Sequence, residues 1–361
     1  LRSPKTGEGS RMIILGLNAY HGDSSACLVR DGELIAAVEE ERFRRVKHWA
    51  GFPSQSIAYC LKEAGLKLSD VDHIALNQNN WSNIWHKVAY LLRRRPDLGL
   101  VLQRLRNRKK RGGVQELLDQ AFDGDKFRGQ VHGIDHHLCH LFSAYYVSPF
   151  REAAVVSVDG FGDFASSAWG TGRDGTISVE GRVLFPHSLG EFYMGLTQFL
   201  GFPYYGDEYK VMGLAPYGKP AYLDQMRRIV RLLPGGGFEL DLTYFRHHSE
   251  ETSYQWQDGS PVVGERFSSA LEDLLGPRRG PKGLSRICVP SASLASRART
   301  LLSRDASPLP RMVPSRSSAG VSAWDVAGTR YMRMTAGSVA LSSFTVVRCA
   351  PVLNRCSQVT F

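Results

Sequence analysis

The sequence predicts an α/β protein built from two similar lobes, and three observations support this prediction. Apolar segments of strand length alternate with segments whose apolar residues recur at helical spacing, from Met12 to about residue 147. The chain of 361 residues is long enough for more than one domain. The pattern of residues 12–40 recurs at residues 153–183, which indicates an internal repeat.

The elements of the first lobe follow in chain order. Three strands are predicted first, at residues 12–18, 24–30 and 33–40. Asp31-Gly32 is a hairpin turn signal, and Pro53-Ser54 opens an amphipathic helix that ends at Gly65. A strand, two helices, a further strand and a further helix are predicted at residues 71–77, 84–95, 114–122, 130–135 and 136–147.

Each copy of the repeat contains an apolar strand, a Gly-Asp turn, a second strand rich in small residues, an Arg-Asp-Gly turn and a third strand. The Gly-Asp turns are Gly22-Asp23 and Gly162-Asp163. Two β-hairpin loops of this kind, facing each other across a cleft, can hold the phosphates of a nucleotide. The alternative is that these residue pairs simply form turns, and the sequence leaves both interpretations open.

We expect four segments, namely a leader or start-site artefact, a first lobe, a partial second lobe and an aberrant tail, at residues 1–11, 12–150, 151–275 and 276–361. Residues 281–361 hold 11 Lys and Arg against 2 acidic residues, and therefore carry most of the net charge of +10. The rest of the chain is close to neutral, which argues against a nucleic-acid partner.

The tail is rich in Ser, Arg, Ala and Pro and has no helical or strand period, so we expect it to be disordered. One interpretation is a basic arm that binds an acidic partner. The other, which we favour, is a reading-frame change near residues 276–281.

The composition predicts a soluble globular protein of the cytoplasm. Apolar residues make up 43% and aromatic residues 10%, enough for a buried core. No apolar run is long enough to span a bilayer and no export signal is present, so we expect no membrane partner. Six scattered Cys residues without a CxxC pair indicate reduced thiols.

The segment "IDHHLCHLFSAY" contains the candidate metal ligands. His136 and His140 stand four residues apart on a predicted helix, so both rings can reach one metal ion. A structural role is the alternative for such a pair. His137 is off that face, His132 is on the preceding strand, and Cys139 is expected in the core.

Polar residues after the first strand are the candidate catalytic groups. His21 could deprotonate a hydroxyl or position a substrate, with Asp23 beside it. Asn18 belongs to the same loop and is a candidate for binding nucleotide or phosphate, as are Lys47 and His48. Turn formation is the alternative for Asp23, and a solvated charged face is the alternative for the segment that holds Lys47.

The corresponding loop of the second lobe is a further candidate for binding nucleotide or phosphate. It contains Asp159, Gly160, Gly162 and Asp163, and its glycines permit close backbone approach. A later segment, rich in aromatic residues and Gly, is expected to line a cleft. Its candidate substrate contacts are Glu208, Lys210 and Tyr217.

Five ordered blocks carry a family resemblance: "LGLNAYHGDSSACL", "AAVEEERFRRVKHWAGFP", "IDHHLCHLFSAYY", "VVSVDGFGD" and "GEFYMGLTQFLGFPYYGDEYKVMGLAPYGKP". Over residues 12–275 the chain resembles the N-terminal part of the O-carbamoyltransferases of nodulation-factor and antibiotic biosynthesis. The resemblance implies duplicated ribonuclease-H-like lobes of the actin and sugar-kinase ATPase type, related to the tRNA threonylcarbamoyl transferase, with the second lobe incomplete.

The resemblance also implies an activity, cofactors and partners. The expected reaction transfers a carbamoyl group from carbamoyl phosphate, through a carbamoyl-adenylate made with ATP, to a hydroxyl of a sugar or natural-product acceptor. His136 and His140 are the implied ligands of an iron-type divalent metal. A homodimer is left open.

The chain departs from the family pattern in two respects. The third metal ligand, an Asp in a later Gly-rich segment, is expected beyond residue 280, where no matching text occurs, and the adenylate-forming domain has no counterpart. The leading hypothesis is therefore a truncated O-carbamoyltransferase. The alternatives are an inactive ligand- or metal-binding remnant and a sugar-kinase-like or threonylcarbamoyl-transfer protein.

Overall fold

Two units make up the chain in the computed structural model. The first comprises Leu1–Asp135 and Trp256–Pro261, and the second comprises His136–Gln255 and Val262–Phe361. The structure describes residues 11–94, 113–219, 221–250, 254–257, 260–280, 321–326, 329–334 and 344–348.

A five-stranded sheet with the order β3-β2-β1-β4-β5 forms the first unit. The strands are β1 Ile13–Asn18, β2 Ser25–Arg30, β3 Glu33–Glu39, β4 His73–Leu76 and β5 Gln130–Gly133. Strand β2 is antiparallel to β1 and β3, whereas β4 is parallel to β1 and β5. This order, with a single antiparallel strand, is the ribonuclease-H-like arrangement, so the predicted fold class is confirmed in this unit.

The helices of the first unit are α1 Glu41–Arg44, α2 Ser54–Ala64, α3 Ile84–Arg94 and α4 Val114–Ala121, with a 3-10 turn at Leu68–Asp70. Helix α2 buries Ile57, Cys60 and Leu61 in the same apolar cluster as the β1 residues Leu15 and Leu17. It ends at Gly65, whose φ of 65° is a left-handed conformation that Gly adopts readily. The strands and helices predicted along this unit are thus present.

The second unit repeats the opening three-stranded meander. Its strands β6 Glu152–Gly162, β7 Ala165–Arg173 and β8 Thr176–Leu184 pair antiparallel in sequence order. Its helices are α5 His136–Tyr145, α6 Leu189–Phe199, α7 Glu208–Leu214, α8 Leu223–Ile229 and α9 Ala270–Leu275. Its shorter elements are β9 Val230–Leu232, β10 Phe238–Leu240 and the 3-10 turns Ala215–Tyr217 and Leu242–Tyr244. Strands β11 Tyr254–Gln257 and β12 Ser260–Val263 each lie partly in the first unit, which includes Trp256–Pro261.

Helix α5 belongs to the second unit, whereas the sequence predicts that residues up to 150 belong to the first lobe. The reason is packing. Leu141, Ala144 and Tyr145 of α5 form one buried cluster with Val155 of β6 and Ala168 of β7. The helical period shows which face of α5 is apolar, but it does not show which segment covers that face. The sequence alone therefore could not assign α5 to one unit.

Three segments of the tail are strands, which differs from the disorder expected for it: β13 Val321–Val326, β14 Thr329–Met334 and β15 Phe344–Arg348. These segments contain Val, Trp, Tyr, Phe and Thr, the residue types that favour strands. The sheet order is β13-β14-β15-β6-β7-β8, and β15 pairs antiparallel with β6. In the first unit the corresponding neighbour of β1 is the parallel strand β4. Residues 276–280 are also described, and the other tail residues lie outside the described ones.

The core of the second unit is centred on α6. Phe192, Leu196 and Phe199 of this helix lie in one buried cluster with Met226 and Ile229 of α8. In the part of the chain that the structure describes, every helix is too short or too polar to cross a bilayer.

Candidate functional site

Three side chains of the second unit form the candidate metal centre, namely His136 and His140 of α5 and Asp159 of β6. His136 Nε2 lies 2.7 Å from Asp159 Oδ2 and 3.0 Å from His140 Nε2. His140 Nε2 lies 3.5 Å from the same carboxylate oxygen. Among the described residues, these are the only three or more His, Cys, Asp or Glu side chains whose donor atoms converge closely enough to hold one metal ion.

Asp159 differs from the sequence-based expectation. The sequence predicts that it binds nucleotide or phosphate, and the family resemblance implies a third metal ligand beyond residue 280. The structure instead brings its carboxylate to the two histidines, because α5 packs on β6 and lays the His136 ring over the end of that strand. Two imidazoles and one carboxylate form a donor set that suits Fe(II), and Zn²⁺ is also bound by these ligands.

The turn after β6 positions His136. The Asp163 carboxylate accepts a hydrogen bond from the backbone N–H of His136 at 2.9 Å, so it caps the first residue of α5. Gly162 lies directly against the ring, since a Cβ at this position would be 2.0 Å from His136 Cδ2. Gly160 has open space at its Cβ position, and its N–H donates to Asp159 Oδ1 at 2.7 Å. Asp159 is thus a candidate ligand, and Gly160, Gly162 and Asp163 each contact a candidate ligand directly.

Helix α6 supports the same loop from its N-terminus. The hydroxyl of Ser188 lies 2.7 Å from the Gly160 carbonyl oxygen and 3.1 Å from that of Asp159, and it accepts from the Glu191 N–H at 3.2 Å. A Cβ at Gly190 would come within 2.8 Å of the Gly160 backbone. The capping pattern Ser-x-x-Glu is the sequence signal that could have identified Ser188.

The charge of the site is set by its histidines. Burial alone would raise the pKa of Asp159, but hydrogen bonds and positive charge from His136 and His140 outweigh burial and hold that pKa well below its usual value. Asp159 is therefore a carboxylate under ordinary conditions. An ionised carboxylate is the form that binds a cation.

His137 has a different environment from its two neighbours. Its Nδ1 lies 2.7 Å from the hydroxyl of Ser157 in the interior, and burial lowers the pKa of His137 to about 4. It is therefore neutral near pH 7. His132 lies on β5 and pairs with His73 of the neighbouring strand, with 3.0 Å between ring nitrogens.

A second polar group lies in the first unit, where Asp23 meets His48. Asp23 is 5% exposed, and its Oδ1 lies 3.0 Å from His48 Nδ1. The other carboxylate oxygen is buried and makes no hydrogen bond within the described residues. Both residues have left-handed backbone, with φ of 61° for Asp23 and 57° for His48. Such strain in residues other than Gly persists only where the surroundings enforce it, and it is frequent at functional sites.

Backbone pairing brings these two residues together. The Ser24 N–H donates to the Trp49 carbonyl at 2.9 Å, and the Ser24 hydroxyl donates to the Gly51 carbonyl at 2.9 Å. These bonds hold the loop that contains Asp23 beside the chain that follows His48. No local sequence pattern shows this contact, because the partners are far apart along the chain.

The other predicted residues of the first unit surround this pair or stand apart from it. Asn18 donates from Nδ2 to the Asp23 carbonyl at 2.9 Å and so supports the loop backbone. The carbonyl of His21 lies 3.2 Å from the Ser24 hydroxyl. Lys47 is exposed.

Two buried acidic residues that were not predicted from the sequence are further candidates for a functional or structural role. Glu40 is fully buried and accepts from the Ser56 N–H and hydroxyl, both at 2.8 Å, so it caps α2. Glu191 lies 3.4 Å from the guanidinium of the buried Arg266.

The candidate substrate contacts differ from one another in exposure. Glu208 is buried and Tyr217 is 79% exposed. Lys210 pairs with the Asp207 carboxylate at 2.5 Å.

Comparison with known proteins gives one family and several relatives. The family described as "Carbamoyltransferase N-terminus" matches residues 13–258. An uncharacterized protein of Synechocystis sp. is 35% identical over 278 residues, which cover 74% of this chain and 43% of that protein. Nodulation protein NolNO of Sinorhizobium fredii is 38% identical over 229 residues, which cover 62% of this chain and 32% of that protein.

The chain therefore spans less than half the length of these two curated relatives. Among solved structures, YeaZ from Pseudomonas aeruginosa is similar at 16% identity with a TM-score of 0.28, covering 48% of this chain and 67% of that one.

Proposed function

This chain belongs to the carbamoyltransferase family, and we propose that it performs the transfer step of an O-carbamoyltransferase. The donor is carbamoyl-adenylate, made from carbamoyl phosphate and ATP, and the acceptor is a hydroxyl of a sugar or natural product. The observation that carries the proposal is the convergence of His136, His140 and Asp159 within the region that matches the family.

The three residues fit a divalent metal. Their donor atoms all lie within 4.8 Å of one another, and Asp159 is ionised by its contacts. We propose that His136, His140 and Asp159 hold the ion, and that iron is its identity, since two imidazoles and a carboxylate are the usual set for Fe(II). A bound divalent ion supplies Lewis acidity towards a carbonyl or phosphoryl oxygen.

The Asp23–His48 pair is suited to proton transfer. In the proposed step, the acceptor oxygen forms a bond to the carbamoyl carbon, the bond from that carbon to the phosphate oxygen breaks, and AMP leaves. The proton of the acceptor hydroxyl passes to the His48 imidazole, which Asp23 orients through Nδ1. His21, from the same loop as Asp23, is the second candidate for this role. Lys47 supplies positive charge for phosphate, and Asn18 supports the loop.

The acceptor class can be narrowed by the relatives. NolNO is a nodulation protein, as is NolO of Bradyrhizobium diazoefficiens, which is 33% identical over 169 residues. This similarity supports the proposal of a role in nodulation rather than in antibiotic biosynthesis.

The direct test supplies chemically prepared carbamoyl-adenylate, so that the result does not depend on an adenylate-forming domain. The protein is incubated with this donor and oligosaccharide or aminoglycoside acceptors, and the products are examined by mass spectrometry. We expect an acceptor that gains one carbamoyl group, together with one AMP per transfer. Metal binding without any transfer would favour the metal-binding remnant. Phosphoryl transfer from ATP to a sugar would favour the kinase-like alternative.

A further inference from the structure

Helix α3 of the first unit carries an apolar face that the described protein does not cover. Trp85 is 80% exposed and Leu92 is 74% exposed, and Val88 lies between them on the same helix face. Trp81, in the turn that leads into the helix, is 79% exposed. Two tryptophans at this exposure are unusual, because Trp is normally largely buried. We call Trp81, Trp85, Val88 and Leu92 the α3 apolar face.

The helix is amphipathic, and its opposite face is basic. His86 and Arg93 are exposed on that side, and Lys87 reaches the Asn80 carbonyl at 3.1 Å. None of the residues of α3 whose exposure is described is fully buried. A short helix of this kind gains its stability from a surface that covers its apolar face, and not from propensity alone.

The charge of the sequence near α3 indicates what kind of surface covers the α3 apolar face. From residue 73 to residue 115 the sequence contains ten Lys and Arg residues and one acidic residue, Asp97. This stretch is therefore strongly basic, although residues 1–280 as a whole are nearly neutral. A second copy of the chain packed on this helix would bring the basic residues Lys87 and Arg93 of two copies near one another, which is unfavourable. An anionic surface that also accepts apolar side chains fits both the apolar face of the helix and its basic residues.

We propose that the α3 apolar face inserts into an anionic lipid surface and anchors the protein peripherally. Trp and Leu on one face, with basic residues on the other, are the composition of helices that lie in the membrane interface. Trp prefers the headgroup region, where its ring is apolar and its N–H is solvated. This inference is independent of the carbamoyl-transfer chemistry and departs from the sequence-based expectation of no membrane partner.

The test is co-sedimentation of the full chain with vesicles. Vesicles of phosphatidylcholine mixed with phosphatidylserine are compared with vesicles of phosphatidylcholine alone. We expect binding to the mixed vesicles that weakens as salt is raised. We also expect quenching of tryptophan fluorescence by brominated acyl chains, which is lost in the double variant Trp81→Ser, Trp85→Ser.

Two leucine variants distinguish insertion of the α3 apolar face from a general effect of losing an exposed apolar side chain. Leu92→Ser should bind the mixed vesicles about tenfold more weakly, since each large side chain withdrawn from water contributes about one power of ten in affinity. Leu34→Ser changes a leucine of β3 that is 66% exposed in the same unit, and it should bind like the unchanged protein.

Three results would overturn the inference. These are no binding of the unchanged protein to the mixed vesicles, equal binding by Leu92→Ser, and equal binding to neutral vesicles. A lipid-free dimer that Leu92→Ser converts to a monomer would assign the face to a second copy instead.

Discussion

The two Gly-Asp turns of the repeat have the same local conformation and different uses. Asp23 and Asp163 both have left-handed backbone, with φ of 61° and 51°. The Asp23 side chain faces His48 and forms a partly buried side-chain pair. The Asp163 side chain caps α5, and Gly162 beside it makes room for the His136 ring. The comparison shows that a repeated turn sets the backbone, whereas the segment packed on it sets the chemistry.

The largest expected effect concerns Asp159, the carboxylate of the candidate metal centre beside the second turn. Asp159→Asn should weaken metal binding by more than about a hundredfold, since losing a ligand costs more than the 10–100-fold typical of an outer hydrogen-bond partner. Carbamoyl transfer should fall with it. The measurement is metal content after dialysis, by elemental mass spectrometry. Asp174→Asn, at an exposed carboxylate paired with Arg151, is the control. Full metal content in Asp159→Asn would remove this residue from the centre.

The second-largest expected effect distinguishes the role of the first turn from the role of the second. Asp23→Asn should lower kcat/KM for carbamoyl transfer by about a hundredfold, the lower end of general-base contributions, while metal content stays unchanged. The physical reason is that the amide no longer orients the His48 imidazole as a carboxylate does. Glu33→Gln, on the exposed part of β3, provides the control. Unchanged transfer, or a parallel loss of metal, would contradict separate roles for the two turns.

The third prediction compares two glycines of one loop. Gly162→Ala should displace the His136 ring, because its Cβ would lie 2.0 Å from that ring. We expect metal affinity to fall about tenfold and the free energy of unfolding to fall by about 1–3 kcal/mol. Gly160→Ala places its Cβ in open space and should change both quantities little. Isothermal titration with the metal and urea unfolding measure the two effects. Equal behaviour of the two variants would contradict the proposed role of Gly162.

The smallest effect concerns the cap of α5. Asp163→Ala removes the acceptor for the His136 N–H and should lower the free energy of unfolding by about 1 kcal/mol. Asp163→Asn keeps an acceptor oxygen and should recover most of that loss. The measurement is urea unfolding of the unchanged protein and the two variants. Equal free energies of unfolding would show that the cap contributes nothing measurable.

The candidate metal centre could be predicted only in part from the sequence. The spacing of His136 and His140 places two donors on one helix face, and the helical period is sufficient for that inference. Asp159 could not be paired with them, because the pairing depends on how α5 lies across β6. The family resemblance implies a third ligand beyond residue 280, whereas the structure offers a candidate at residue 159.

Local patterns were sufficient for the strands of the first sheet, the ends of α2 and the repeated meander. Hydrophobic alternation, turn residues and caps act within a few residues, so a single sequence reports them. Contacts between distant segments, such as Asp23 with His48 and Gly162 with His136, are visible only in the tertiary structure. They depend on which buried faces pack together, and many segments of similar hydrophobicity could satisfy the same local pattern.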